Sequence, residues 1–165
     1  MKQLAIGLLL LLSSCSTTTV YLVRHAEKVD ESDSTDLSIA GKARAVALAD
    51  TLVNKHVDLI LTTPYRRTRQ TAEPLAQRLN LPIEAYPAAP IDAGVSRINR
   101  VRNKTLLVVG HSNTVLELAR GLGVTPTLTK INGTDFDNLL RVRIRRTPFR
   151  RSVQLRESTY GQSTQ

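Results

Sequence analysis

Residues 20–28 read VYLVRHAEK. Val20, Tyr21, Leu22 and Val23 are residues of the kind that fill a buried strand, and they run into Arg24 and His25 with no turn residue between. A strand expected over Thr19–Val23 therefore ends by presenting an arginine and a histidine side by side. In open α/β sheets, ligands bind beyond the carboxyl ends of the strands, so this pair marks a candidate site.

Two further segments repeat the arrangement. VDLILTT (57–63) reads as a short buried strand leading into PYRRTRQTAEPLAQRLNL (64–81). That stretch is a helix opening near Pro64, in which Pro74 is expected to bend or interrupt the helix. TLLVVGHS (105–112) reads as a strand ending in Gly110-His111-Ser112, followed by a helix over NTVLELARGLG (113–123). Arg66, Arg67 and Arg69 at a helix start oppose the helix dipole, which calls for an anion nearby. Gly-His-Ser gives close backbone approach and N–H groups that suit phosphate. Together the strand ends converge on one rim holding two histidines and at least two arginines.

The remaining chain supplies a scaffold for that rim. EKVDESDSTD (27–36) is a polar, acidic loop, Ser38 stands where a helix N-cap belongs, and IAGKARAVALADTLVNK (39–55) carries Ile39, Ala43, Val46, Leu48, Leu52 and Val53 at roughly helical spacing. PIEAYP (82–87) is a third short strand, and AAPIDAGVSRINRVRN (88–103) a loop with a weak helix. LRVRIR (140–145) alternates as a half-exposed strand and pairs in a hairpin with SVQLRE (152–157), with Pro148 in the turn. Strands alternating with helices imply an α/β three-layer sandwich, a mostly parallel sheet flanked by helices. One domain is expected over 19–161.

The chain's 165 residues suffice for one domain with a real core. Its net charge of +9 favours anionic partners without choosing among phosphates, nucleic acid and acidic membrane surfaces. Aromatic content of 4% with no tryptophan gives no base-stacking platform, so nucleic acid is not expected as a partner. The arginines of the tail (Arg141, Arg143, Arg145, Arg146, Arg150, Arg151) read most simply as a solvated strand face; contact with anionic lipid or lipopolysaccharide is the alternative.

The first residues, MKQLAIGLLLLLSSCS, place one lysine before an apolar stretch from Leu4 to Leu12 and then small residues. This layout is that of a secretory signal and is too short to span a bilayer. LSSC resembles a lipobox, which implies a lipoprotein signal over 1–14, lipidation of Cys15, a short tether over 15–18 and a lipid-anchored location at the extracytoplasmic face of the cell envelope. Cys15 is the only cysteine, so no intramolecular disulfide is possible.

LVRHAEK, DLSIAGKARAVALA, TTPYRRTRQTAEPLA, LLVVGHSNT and the closing STYG, in that order, resemble the histidine phosphatase superfamily, the phosphoglycerate mutase-like fold. The resemblance implies a phosphatase in which His25 is the phosphorylated nucleophile. Arg24 and Arg67 would bind the phosphoryl group, and His111 would donate to one of its oxygens. It implies no metal and no cofactor, and a small phosphorylated substrate or phosphoprotein as partner. Departures are RHA in place of the commoner RHG, Lys28 where mutases carry a small polar residue, and no evident acidic proton donor. Asp92 lies in about the right segment for that donor and Glu27 directly follows the motif. Without a donor, good leaving groups are favoured over alkyl esters. The rival readings are a non-catalytic lipoprotein that uses the pocket to bind an anion or partner, and a mutase, for which the chain lacks room for a capping insertion.

Overall fold

In the computed structural model of the chain, which describes residues 15–164, the elements in order are β1 (Ser16–Arg24), α1 (Ile39–Leu52), β2 (Leu59–Thr62), α2 (Arg66–Leu79), β3 (Ile83–Ala85), α3 (Ile91–Asn99), β4 (Thr105–Gly110), α4 (Val115–Gly121), β5 (Asn138–Arg146) and β6 (Arg151–Thr159). The signal assigned to 1–14 lies outside the described residues. The six strands form one sheet in the order β3-β2-β4-β1-β5-β6. The first four of that order run parallel, and β5 and β6 add on antiparallel, so the sheet is mixed.

Strand alternation sorts the core into two layers. Val20, Leu22, Leu106, Val108, Leu140, Val142 and Ile144 face one side, where Ile98 of α3 and Val115, Leu118 and Ala119 of α4 cover them. Tyr21, Val23, Ile60, Leu107 and Val109 face the other, beneath Leu48, Ala49 and Leu52 of α1 and Ala72, Leu75 and Ala76 of α2. The expected three-layer α/β architecture is thus observed. No helix among the described residues is long and apolar enough to cross a membrane.

Three local expectations differ from the structure. First, β1 starts at Ser16 rather than Thr19, because Ser16, Thr17 and Thr18 pair with Arg146, Arg145 and Ile144 of β5. The Thr18 hydroxyl is buried and donates to the Val101 carbonyl at 3.1 Å. Of the tether expected over 15–18, only Cys15 stays outside the sheet, and it is exposed.

Second, α2 runs through Pro74 without a break. The proline removes the N–H that would bond the Gln70 carbonyl, but Thr71, Ala72, Leu75 and Ala76 are buried on both sides of it, and that packing holds the helix together. Third, the buried stripe of α1 is Gly41, Arg44, Ala45, Leu48, Ala49 and Leu52, while Ile39 and Val46 are exposed. Gly41 is required there: a Cβ would sit 2.0 Å from the Glu27 carbonyl oxygen. The helix N-terminus therefore packs directly on the loop that follows the Arg24-His25 pair.

Candidate active site

The parallel ladder between β1 and β4 sets Arg24 beside Gly110, and His25 N–H extends it by donating to the Gly110 carbonyl at 2.9 Å. This register brings His25 and His111 together, with ring centroids 5.4 Å apart and the rings edge to face. Gly110 is a glycine for steric reasons. A Cβ there would lie 2.9 Å from Thr114 Oγ1 and 3.1 Å from the Tyr86 hydroxyl. Thr114 Oγ1 is needed in that position because it accepts from His111 N–H at 3.0 Å.

His25 is 4% exposed, and its Nδ1 lies 2.8 Å from the Ala26 carbonyl. A carbonyl only accepts, so Nδ1 carries the proton and Nε2 keeps its lone pair. Burial pushes the His25 pKa down to about 3; the charges of Arg24 and Arg67 and the nearby His111 lower it too, while the bond to Ala26 works in the opposite direction. Burial and the same two arginines lower His111 to about 4. Both imidazoles are therefore neutral near pH 7. His111 Nε2 lies 2.9 Å from Thr63 Oγ1, and Nδ1 has no protein partner among the described residues. Thr68 Oγ1 donates to the Thr63 and Tyr65 carbonyls, at 2.8 Å each, and lies 3.1 Å from Thr63 Oγ1. With its proton donated to Thr68 Oγ1, Thr63 Oγ1 accepts from His111 Nε2–H; turning that proton toward Nε2 instead moves the His111 proton to Nδ1, where an anionic oxygen can accept it.

The two arginines are held by dipoles rather than by carboxylates. Arg24 is buried; Nη1 donates to the Asn132 and Asp135 carbonyls at 2.7 and 2.9 Å, and its guanidinium lies 4.0 Å from the centre of the Phe136 ring. Arg67 Nη1 donates to the Asp33 carbonyl at 2.9 Å, and its guanidinium lies 4.4 Å from the centre of the Tyr65 ring. The Nε donors of both Arg24 and Arg67 are buried without a hydrogen-bond partner. Both residues line the cavity, and with Nη1 engaged on carbonyls each guanidinium keeps an Nη2 group with no hydrogen-bond partner among the described residues, the donor that can meet an oxyanion there. Desolvation lowers the Arg24 pKa from its ordinary value, with Asp135 acting against it.

Arg24, His25, Arg67 and His111 all line one open cavity of about 450 Å³, together with Lys28, Tyr65 and Ser112. Asp92 is not brought to it. That residue is exposed in the first turn of α3 and lines a different depression, with Tyr86 and Arg97, so the reading of it as proton donor has no geometric support. The segment expected to supply the acid contributes Ala88 to the cavity instead.

Glu27 is also engaged elsewhere. Its carboxylate receives Nε of buried Arg44 at 2.8 and 2.9 Å and pairs with Nη2 of the same residue at 2.8 Å. Lys28 does line the cavity, paired with the exposed Glu31. Among the described residues no group of three or more His, Cys, Asp or Glu side chains could hold a metal ion.

Several contributors carried no signal in the sequence. Asn132 and Asp135 act through backbone carbonyls, which any residue provides. Phe136 and Tyr65 act through ring faces. Thr71 receives Ala26 N–H at 2.9 Å, and Gln70 receives Leu37 N–H at 2.8 Å, so α2 pins both ends of the 26–37 loop. Of these, Tyr65, Gln70 and Thr71 sit inside a motif already singled out, TTPYRRTRQTAEPLA.

Sequence comparison bears on this cavity directly. Residues 20–89 match the histidine phosphatase superfamily (branch 1). The matched stretch includes Arg24, His25 and Arg67 and stops before His111. Two relatives from Mycobacterium tuberculosis, uncharacterized protein Rv0525 of strain ATCC 25618 / H37Rv and uncharacterized protein MT0547 of strain CDC 1551 / Oshkosh, are each 32% identical over 77 residues. That region is 42% of this chain and 38% of each relative, so the chain spans well under half the length of the curated relatives it matches.

Among solved structures, the protein histidine phosphatase SixA complexed with tungstate superposes with a TM-score of 0.66 at 22% identity, covering 86% of this chain and 96% of that one. Mycobacterial glucosyl-3-phosphoglycerate phosphatase Rv2419c gives 0.64 at 14% identity, covering 87% and 98%. These likenesses establish the common α/β fold with histidine phosphatases.

Proposed function

We propose that this protein is a histidine phosphatase, hydrolysing phosphorylated substrates through a phosphohistidine on His25 and without a metal. The observation that carries the reading is the pairing, on one cavity wall, of a neutral imidazole whose Nδ1 is fixed on the Ala26 carbonyl with the guanidinium groups of Arg24 and Arg67. His25 Nε2 attacks phosphorus, an N–P bond forms, and the bond from phosphorus to the leaving group breaks with its electron pair going to that group. Arg24, Arg67 and His111 stabilise the charge spread over the phosphoryl oxygens. Water then attacks phosphorus, the N–P bond breaks, and orthophosphate leaves.

Among the described residues the only carboxylate on the cavity wall is Glu31, already paired with Lys28, so none is poised to protonate a poor leaving group. Phosphoramidates, acyl phosphates and aryl phosphates suit such a site better than alkyl esters. The leader sequence and Cys15 support a lipid-anchored enzyme acting outside the cytoplasm. The full chain is expected to turn over an aryl phosphate, and His25→Ala to abolish turnover. Equal rates in the two would exclude the assignment. Rapid quenching with ³²P-labelled substrate is expected to trap label on the wild type and none on His25→Ala.

A further inference from the structure

The end of the sheet opposite the cavity carries features the proposed chemistry does not use. The turn joining β5 to β6 reads RRTPFRR over residues 145–151. It is ordered: Thr147 N–H donates to the Arg150 carbonyl at 2.8 Å, and Arg150 N–H donates to Thr147 Oγ1 at 3.0 Å. Yet it holds out Phe149, one of only two phenylalanines in the chain, at 91% exposure. An ordered turn presenting a bare aromatic ring between arginines has the composition of a membrane-interface contact rather than of a solvated loop.

The charge around that ring is one-sided. Arg145, Arg150 and Arg151 are exposed at the turn, and Arg143 is exposed two residues before Arg145, on the same face of β5. Among the described residues, none of these four forms an ion pair with a carboxylate. Arg102 and Arg151 crowd Arg146, so the cluster repels itself and gains from an anionic surface. Cys15 sits at the same place: Ser16 pairs with Arg146, and Cys15, Arg143 and Arg145 line one depression. The apolar stretch Leu4–Leu12 lies just upstream of that point in the sequence.

We infer that the β5–β6 turn docks on a bilayer of anionic phospholipid, with Phe149 entering the headgroup boundary and Arg143, Arg145 and Arg150 meeting lipid phosphates. β1 starts at this end and finishes at the catalytic pair, and its nine residues at about 3.3 Å each put roughly 26 Å between Ser16 and Arg24. The docked protein holds its cavity away from the bilayer, open to dissolved or protein-borne phosphoryl groups rather than to lipid headgroups.

The chain has no tryptophan, so Phe149→Trp in the full chain gives a single-site reporter. With vesicles containing about one third phosphatidylglycerol, the emission of the introduced indole is expected to shift to the blue. It should also be quenched by brominated acyl chains, with neither effect on phosphatidylcholine vesicles and with reversal in high salt. Arg143→Gln, Arg145→Gln and Arg150→Gln together, in the reporter chain, should weaken partitioning on the order of a hundredfold, roughly fivefold per arginine. Among the described residues those three side chains make no hydrogen bond within the fold, and circular dichroism checks that it is intact. The proposal is overturned if the chain sediments with anionic vesicles while the indole emission stays that of water, since the leader alone would then hold it. It is equally overturned if soluble polyphosphate competes away the binding of wild type and triple variant alike.

Discussion

Folding a histidine into a site that keeps it neutral makes the protein sensitive to acid in a way that can be sized. Free imidazole titrates near 6.5, whereas burial and the flanking cations lower His25 to about 3. Protons therefore bind the unfolded chain first. The stability tied to His25 is complete above about pH 6.5 and is lost as pH falls from there toward about 3. Between about pH 6.5 and 4 the unfolded chain holds the extra proton over some 2.5 pH units, which at about 1.36 kcal/mol per unit is about 3 kcal/mol.

His25→Asn removes the titrating group and keeps a donor for the Ala26 carbonyl. Urea unfolding followed by circular dichroism, for both proteins at about pH 7 and about pH 4, isolates the effect as a double difference. Carboxylates titrate in both proteins and cancel. Wild type should lose about 3 kcal/mol more than the variant on acidification. A double difference under about 1 kcal/mol would show that His25 is not held neutral by folding, and the argument for a ready nucleophile would fall with it.

Two other substitutions probe the site from either side. Thr63→Val removes the hydroxyl that meets His111 Nε2 and should lower kcat/KM roughly five- to tenfold, in line with the loss of one hydrogen bond of about 1 kcal/mol, while Thr63→Ser restores it. Failure of the serine to rescue would mean that the residue acts through its methyl group. Asp92→Asn should leave aryl phosphate turnover within about twofold, because the carboxylate lines a separate depression. A tenfold fall confined to substrates with poor leaving groups would return Asp92 to the role of proton donor.

What the sequence made legible follows from which interactions side-chain identity encodes. Strand alternation fixed the two core layers, since Val20 and Leu22 must oppose Tyr21 and Val23 whatever the partner strand. The rim was legible because a strand end and a glycine before a helix are local signals: Arg24-His25 carries the first and Gly110-His111 carries both. The Glu27–Arg44 pair was not, because it joins a loop to the middle of a helix seventeen residues on, and nothing local distinguishes that carboxylate from its acidic neighbours. The early start of β1 depended on β5, more than a hundred residues away. Pro74 read as a break because propensity counts the missing N–H and ignores the packing on either side.

The same contrast explains why Arg67, and not its neighbours, lines the cavity with its charge uncancelled by a carboxylate. Arg66 is exposed and pairs with the Asp36 carboxylate at 2.9 Å, and Arg69 is exposed on another side of α2. Arg67 instead rests on the Tyr65 ring and on a backbone carbonyl, and Arg24 repeats the pattern with Phe136 and two carbonyls. Carbonyl dipoles and ring faces hold a guanidinium in place without cancelling its charge. Had carboxylates done this work, a phosphate dianion would have to compete with them for the arginines. Their charge would also have raised the imidazole pKa values rather than letting the arginines lower them. Holding the cations by dipoles thus serves two ends at once: the site stays positive enough to take a dianion, and that same charge adds to burial in keeping His25 unprotonated.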